Sequence, residues 1–119
     1  MILVDTSLWI DHLHHTLPAL AGALQRKGVL MHPFIVGEIA CGSVKKRNEV
    51  LEFFAELPRA AVATHEEVMA LIESRQLMGR GINYVDAHLL ASAALTAEAK
   101  LWTRDKRLHD IAVQLDLAF

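Results

Sequence analysis

Four carboxylates occupy costly places in this sequence. Asp5 follows the apolar run Ile2-Leu3-Val4, and Asp105 comes just past Lys100-Leu101-Trp102-Thr103. Glu38 interrupts the apolar stretch Phe34–Ala40, and Asp86 sits near the start of another, Val85–Ala93. An ionised carboxylate taken out of water is costly unless a positive charge meets it. Converging acids without matching buried bases point to a hard cation, Mg²⁺ or Mn²⁺. A carboxylate-held divalent ion points in turn to chemistry on a phosphate ester.

The elements that would position these acids alternate along the chain. Residues 1–4 read as a short buried strand. Asp5-Thr6-Ser7 supplies helix-capping chemistry, and Leu8, Trp9, Ile10 and Leu13 follow at helical spacing. Thr16 and Pro18 open a second helix that Gly28 ends, and Val29-Leu30-Met31 reads as the next strand. Pro33 starts a short helix toward Gly42, and residues 46–57 form another that Pro58 stops. Ala60–Ala63 is a weak third strand. Thr64-x-x-Glu67 and Asn83-x-x-Asp86 are capping boxes, each with a helix behind it. The helix after Asn83 is apolar nearly all round and is therefore expected to be central. Residues 100–103 form the fourth strand, 105–114 the last helix, and Leu117-Ala118-Phe119 a closing strand.

Strands alternating with helices imply an α/β fold, with a parallel sheet and helices on both faces. Ligands of such sheets bind beyond the carboxyl ends of the strands, where strand order reverses. Asp5 and Asp105 both fall there. Each acid also has a plain structural role open to it, except one. Asp5 and Asp105 suit as helix N-caps, and Asp86 suits the third position of its capping box. Glu38 has no such role.

With 119 residues, 1–119 is expected to be a single domain. No apolar run approaches the ~18 residues of a membrane helix, and no signal peptide is read at the N-terminus. Cys41 is the only cysteine, which excludes an internal disulfide and a cysteine-based zinc site and fits a reducing cytoplasm. The net charge of −2 does not advertise a polyanion binder. The bases are clustered, however, at Arg26-Lys27, Lys45-Lys46-Arg47 and Arg104-Lys106-Arg107, and a bound metal adds charge that the count omits.

Other motifs carry less. His12, His14 and His15 read as a solvated helix face rather than a metal site, and His32, His65, His88 and His109 as packing or surface residues. Trp9 and Trp102 read as core or interface. Gly79-Arg80-Gly81 is too short for a phosphate loop, and no Walker, zincin or nucleophile-elbow motif is present. A dehalogenase-type phosphatase wants Asp-x-Asp after the first strand, where this chain has Asp5-Thr6-Ser7. A receiver domain wants an Asp past the third strand, where there is none.

Four short motifs in order resemble a PIN domain, specifically the VapC-type ribonuclease toxins of bacterial toxin–antitoxin pairs. They are Ile-Leu-Val-Asp-Thr-Ser at the N-terminus, the isolated Glu38, Tyr-Val-Asp-Ala-His-Leu-Leu-Ala around Asp86, and Leu-Trp-Thr-Arg-Asp-Lys-Arg-Leu around Asp105. The resemblance implies a doubly wound parallel sheet of order 3-2-1-4-5. It implies that Asp5, Glu38, Asp86 and Asp105 share one pocket and hold Mg²⁺ or Mn²⁺, supported by Thr6 and Thr103. It implies Mg²⁺-dependent hydrolysis of RNA, a small VapB-like antitoxin as partner, and a homodimer. Many relatives carry another acid after the last Asp, where this chain has Lys106 and Arg107. Those two, with Lys45, Lys46, Arg80 and Arg104, are the expected RNA contacts. A non-toxin RNA-processing nuclease and a non-catalytic RNA- or partner-binding scaffold are the alternatives within this fold.

Overall fold

The computed structural model describes residues 1–119. In chain order the elements are β1 (Ile2–Val4), α1 (Thr6–His14), α2 (Pro18–Gln25), β2 (Val29–Leu30), α3 (Pro33–Ala40), α4 (Arg47–Glu56), α5 (His65–Ser74), α6 (Tyr84–Leu95), β3 (Lys100–Trp102) and α7 (Lys106–Gln114). Every helix expected from the sequence is present. The three strands are parallel in the order β2-β1-β3. Leu3 pairs with Leu30 on one side and Leu101 on the other.

The expected five-strand order survives, but its two outer strands shrink to single bridges. Arg59 bridges Met31, and Ala118 bridges Leu101, both parallel. The Ala60–Ala63 strand is thus corrected to a contact at Arg59. The cause is competition for its backbone N–H groups. The Ala60 N–H still reaches the Met31 carbonyl at 3.0 Å. Beyond it, N–H groups leave the sheet for side chains of the α6 segment: Ala61 donates to Thr96 Oγ1 at 2.9 Å and Ala63 to Ser92 Oγ at 3.4 Å.

The topology fixes where a site forms. The chain leaves β1 toward β2, then crosses over β1 to β3 and leaves β3 for the Ala118 bridge. With right-handed crossovers, the helices of the two directions fall on opposite faces. Connections diverge between β1 and β3, so their carboxyl ends open into a crevice.

Leu3, Val4, Leu30, Leu101, Leu89 and Leu90 lie in one large core cluster. Within α6 the whole run Ala87–Ala93 is buried, as its nearly uniform apolarity requires. On α4, Phe54 reaches Trp9 of α1 with ring centroids 4.8 Å apart. No helix is long and apolar enough to cross a membrane.

Candidate active site

The β1–β3 crevice receives the acids from four different elements. Asp5 is held most firmly. Its Oδ1 accepts the Thr6 N–H at 2.8 Å, and its Oδ2 accepts the Thr103 hydroxyl at 2.7 Å. The same Thr103 oxygen accepts the Asp105 N–H at 3.1 Å, which ties the ends of β1 and β3 together. Asp105 caps α7 through Oδ1, which accepts the Leu108 N–H at 3.0 Å. Thr6 turns its hydroxyl the other way and donates to Glu38 Oε1 at 2.6 Å. Thr6 and Thr103 therefore contact acids of the group, each by a hydrogen bond.

Asp86 completes the group. Its capping box with Asn83 is closed in both directions: the Asn83 N–H reaches Asp86 Oδ2 at 3.1 Å, and the Asp86 N–H reaches Asn83 Oδ1 at 2.8 Å. Burial pushes the Asp86 carboxyl above its ordinary range. The charges of Asp5, Asp105 and Glu38 push it further up, and the Asn83 backbone pulls it back. Four acids distant in sequence therefore lie near enough for the charges of three to act on the fourth.

Capping and convergence are thus not alternatives. At Asp86 and Asp105 the cap engages one carboxylate oxygen, and the other has no protein partner. Glu38 likewise uses only Oε1. One premise from the sequence needs correction. Glu38 and Asp105 are exposed, and only Asp5 and Asp86 are half-buried. On α3 the buried residues are Ile35 and Ile39, and Glu38 lies at the edge of that face, exposed. Its place in an apolar stretch reflects its neighbours' burial, not its own.

The donor set suits a hard divalent ion, because it offers carboxylate oxygens with open lone pairs and mutual repulsion to relieve. No three of the acids close into a ready-made ligand cage, however. Mg²⁺ tolerates such spacing because it keeps several waters between itself and the protein.

The basic residues divide. Arg104 is ion-paired with Asp11, Lys106 with Asp110 at 2.9 Å, and Arg80 donates to Gln114 Oε1 at 2.7 Å. Those three expected RNA contacts already have protein partners. Arg107 has no carboxylate partner. Its side chain lies against Gly81, in space that a Cβ there would need. Gly81 also has φ +84°, so both conformation and contact require glycine.

Lys45 and Lys46 line a groove of about 930 Å³ between α1, α3 and α4. Its walls include Leu13, Ile39, Val50 and Phe53, and Glu38 belongs to its lining. Lys46 caps α4 in the left-handed region, at φ 54°. His14 and His15 face this groove, and His12 departs from the expected solvated face, since its Nδ1 accepts the Leu17 N–H at 3.0 Å. Sequence reading did not anticipate the groove or the Gly81–Arg107 contact. The Gly-Arg-Gly triplet was the only local hint of the latter.

The chain belongs to the PIN-domain family: the family's model, described as PIN domain, matches residues 2–114. It is similar to Ribonuclease VapC32 of Mycobacterium tuberculosis, in strains CDC 1551 / Oshkosh and ATCC 25618 / H37Rv, with 49% identity over 118 residues, or 99% of this chain and 95% of that protein. No solved structure matches the chain. The resemblance carried by the four short motifs is therefore borne out.

Proposed function

We propose that residues 1–119 act as one VapC-type endoribonuclease, the toxin of a toxin–antitoxin pair, hydrolysing RNA phosphodiester bonds at the Asp5–Glu38–Asp86–Asp105 site. The observation that carries this reading is the hydrogen-bonded joining of Asp5, Thr6 and Glu38 on one side and of Asp5, Thr103 and Asp105 on the other, at the carboxyl ends of β1 and β3. The 49% identity to a ribonuclease along nearly the whole chain supports the choice of substrate class.

Asp5, Glu38, Asp86 and Asp105 are the residues that would hold Mg²⁺ or Mn²⁺. Such an ion supplies Lewis-acid polarisation of the phosphate and a lowered pKa for water. The protein's own contribution is orientation. Thr6 and Thr103 fix the Asp5 carboxylate in one rotamer, and Thr6 aligns Glu38 beside it. Asp86 or Glu38, each with one carboxylate oxygen free of protein partners, is suited to accept a proton from the attacking water. Water attack leaves a 5′-phosphate and a 3′-hydroxyl.

An antitoxin must cover the acids to silence them. The groove beside Glu38 suits an apolar helical segment of that partner, with a basic side chain reaching the acids. Two copies of the chain pair in solution, and the protein works in the cytoplasm; light scattering that gave a monomer at micromolar concentration would remove the dimer.

The test is cleavage of total cellular RNA by antitoxin-free protein, with Mg²⁺, with EDTA, and with Asp5→Asn. Discrete fragments that need both Mg²⁺ and Asp5 and carry 5′-phosphates are expected. Folded, Mn²⁺-binding protein that cuts nothing in RNA from several sources would leave a scaffold that kept its acids.

A further inference from the structure

Two arginines fasten the turn between α5 and α6 to α7, in different ways. Arg80 of the turn uses Nη1 on Gln114 Oε1 at 2.7 Å. Arg107 of α7 crosses the other way and lays its side chain on Gly81. Its Cδ and Nη1 fill the space of the missing Cβ, and Cζ lies 3.0 Å from that position. Gly81 sits at φ +84°, so its conformation and its missing side chain both serve this contact. The ion pairs of the chain take Lys100, Arg104 and Lys106, and Arg107 is in none of them. Its guanidinium is located by backbone, and no carboxylate neutralises it.

Both partners of this contact lie close along the chain to acids of the site. Arg107 stands two residues past Asp105, the N-cap of α7. Gly81 stands two residues before Asn83, whose N–H is 3.1 Å from Asp86 Oδ2. Two residues of backbone reach at most ~7 Å, so the guanidinium and the Asp86 carboxylate are no more than roughly 14 Å apart. The charges acting on Asp86 are those of Asp5, Asp105 and Glu38, with no cation among them. Arg107 therefore flanks the acid cluster without neutralising it. An exposed arginine without an acid partner is ordinary by itself. This one is fixed in place, next to acids that repel a polyanion and leave its backbone in need of a positive charge beside them.

We infer that Arg107, carried on Gly81, binds a phosphate of the RNA chain next to the one being cut. The inference rests on the reading of this site as a ribonuclease, and it makes Gly81 a positioning residue. A guanidinium suits the task because its planar fork meets two phosphate oxygens at once. The contact also sets a register: an RNA must extend past the cut on the Arg107 side to use it.

The first test is binding of a short single-stranded RNA in EDTA, followed by fluorescence anisotropy across KCl concentrations. Arg107→Gln is expected to flatten the slope of log K against log salt by about 0.7, the share of one phosphate on a single strand. Arg107→Lys should keep the slope. Gly81→Ala, which keeps the charge but moves it, should flatten the slope as Arg107→Gln does, and Gly79→Ala should not. With Mg²⁺, oligonucleotides carrying one uncharged methylphosphonate beside the mapped cut locate the contact. One flanking linkage is expected to lower kcat/KM of wild type about 10-fold and to leave that of Arg107→Gln nearly unchanged. An unchanged slope in Arg107→Gln, or equal methylphosphonate effects in the two proteins at every linkage, overturns the contact. Failure of the ribonuclease reading looks different: the Arg107-dependent slope is present, and wild-type protein with Mg²⁺ cuts nothing.

Discussion

Two polar regions of this molecule sit on neighbouring strand ends and are built in opposite ways. Past β1 and β3, three of the acids that face one another leave one oxygen each without a protein partner. Past β2, His32 leaves nothing open. Its Nδ1 accepts the Phe34 N–H at 3.0 Å, which makes Nε2 the protonated nitrogen, and Nε2 donates to Ser92 Oγ at 3.0 Å. His32 is completely buried, and burial, with His88 adding to it, pushes its pKa down to about 4. One region is charged, partly wet and unfinished; the other is neutral, dry and complete. A titratable group with every polar atom engaged serves the architecture, and one with an open atom is available to a ligand.

The largest effect should come from the unfinished side. Asp86→Asn is expected to lower RNA cleavage about 10²- to 10⁴-fold, the usual range for losing a positioned proton acceptor, with the protein still folded. Gel analysis of RNA cleaved in Mg²⁺, alongside circular dichroism of the variant, checks both halves. Near-normal cleavage would move Asp86 to the architectural group.

The complete side should fail in stability instead. His32→Ala strands the Phe34 N–H and the Ser92 hydroxyl and leaves a cavity, for a loss of about 2–4 kcal/mol in urea unfolding. Its acid sensitivity has a definite sign. Between pH 6.5 and about 4 the unfolded chain binds a proton at His32 that the native protein refuses, so stability falls as pH falls through that window. The full span is worth at most about 3 kcal/mol. His12 and His88, also pushed down by burial, act in the same direction. The decisive quantity is therefore the difference between wild type and His32→Gln, whose profile should be flatter. Identical profiles would mean that His32 is not a neutral, closed group.

How far these regions could be read from sequence depends on how local their determinants are. The capping boxes at Thr64 and Asn83 set helix starts within four residues, and both form as expected. The Lys106–Asp110 pair, at i and i+4, is legible in the same way. Arg104 with Asp11 and Arg80 with Gln114 join distant parts of the chain, so a sequence reading left these bases free for RNA. The outer strand failed for the same reason, since its N–H groups found Thr96 and Ser92. Glu38 was misread because the composition of α3 does not say which side faces in. His32 was assigned to packing or surface without its partner, because Ser92 lies sixty residues on.

The glycine turn between α5 and α6 offers a finer cut. Gly79 and Gly81 both have positive φ, but only Gly81 touches Arg107. Each Gly→Ala change should cost about 1 kcal/mol from backbone strain. Gly81→Ala should in addition displace Arg107 and raise KM for RNA severalfold, which Gly79→Ala should not. Equal KM values for the two variants would detach Arg107 from the open region.

The smallest effect separates the two regions most cleanly, because its sign reverses with metal. The folded protein raises the Asp86 pKa, so the native state holds that proton more tightly than the unfolded chain. The ionised carboxylate therefore opposes folding at neutral pH, and the penalty is relieved as pH falls toward 3.8. In EDTA at pH 7, Asp86→Asn should be slightly more stable than wild type. An amide oxygen still accepts the Asn83 N–H, so the capping box is retained. Adding Mg²⁺ or Mn²⁺ should raise the melting temperature of wild type, by mass action on the native state, and raise that of Asp86→Asn much less. The ordering of the two proteins thus inverts between EDTA and metal. A His32 variant, less stable in both conditions by the same amount, should show no such crossing. Parallel melting curves for Asp86→Asn and wild type would mean that Asp86 takes no part in holding the ion.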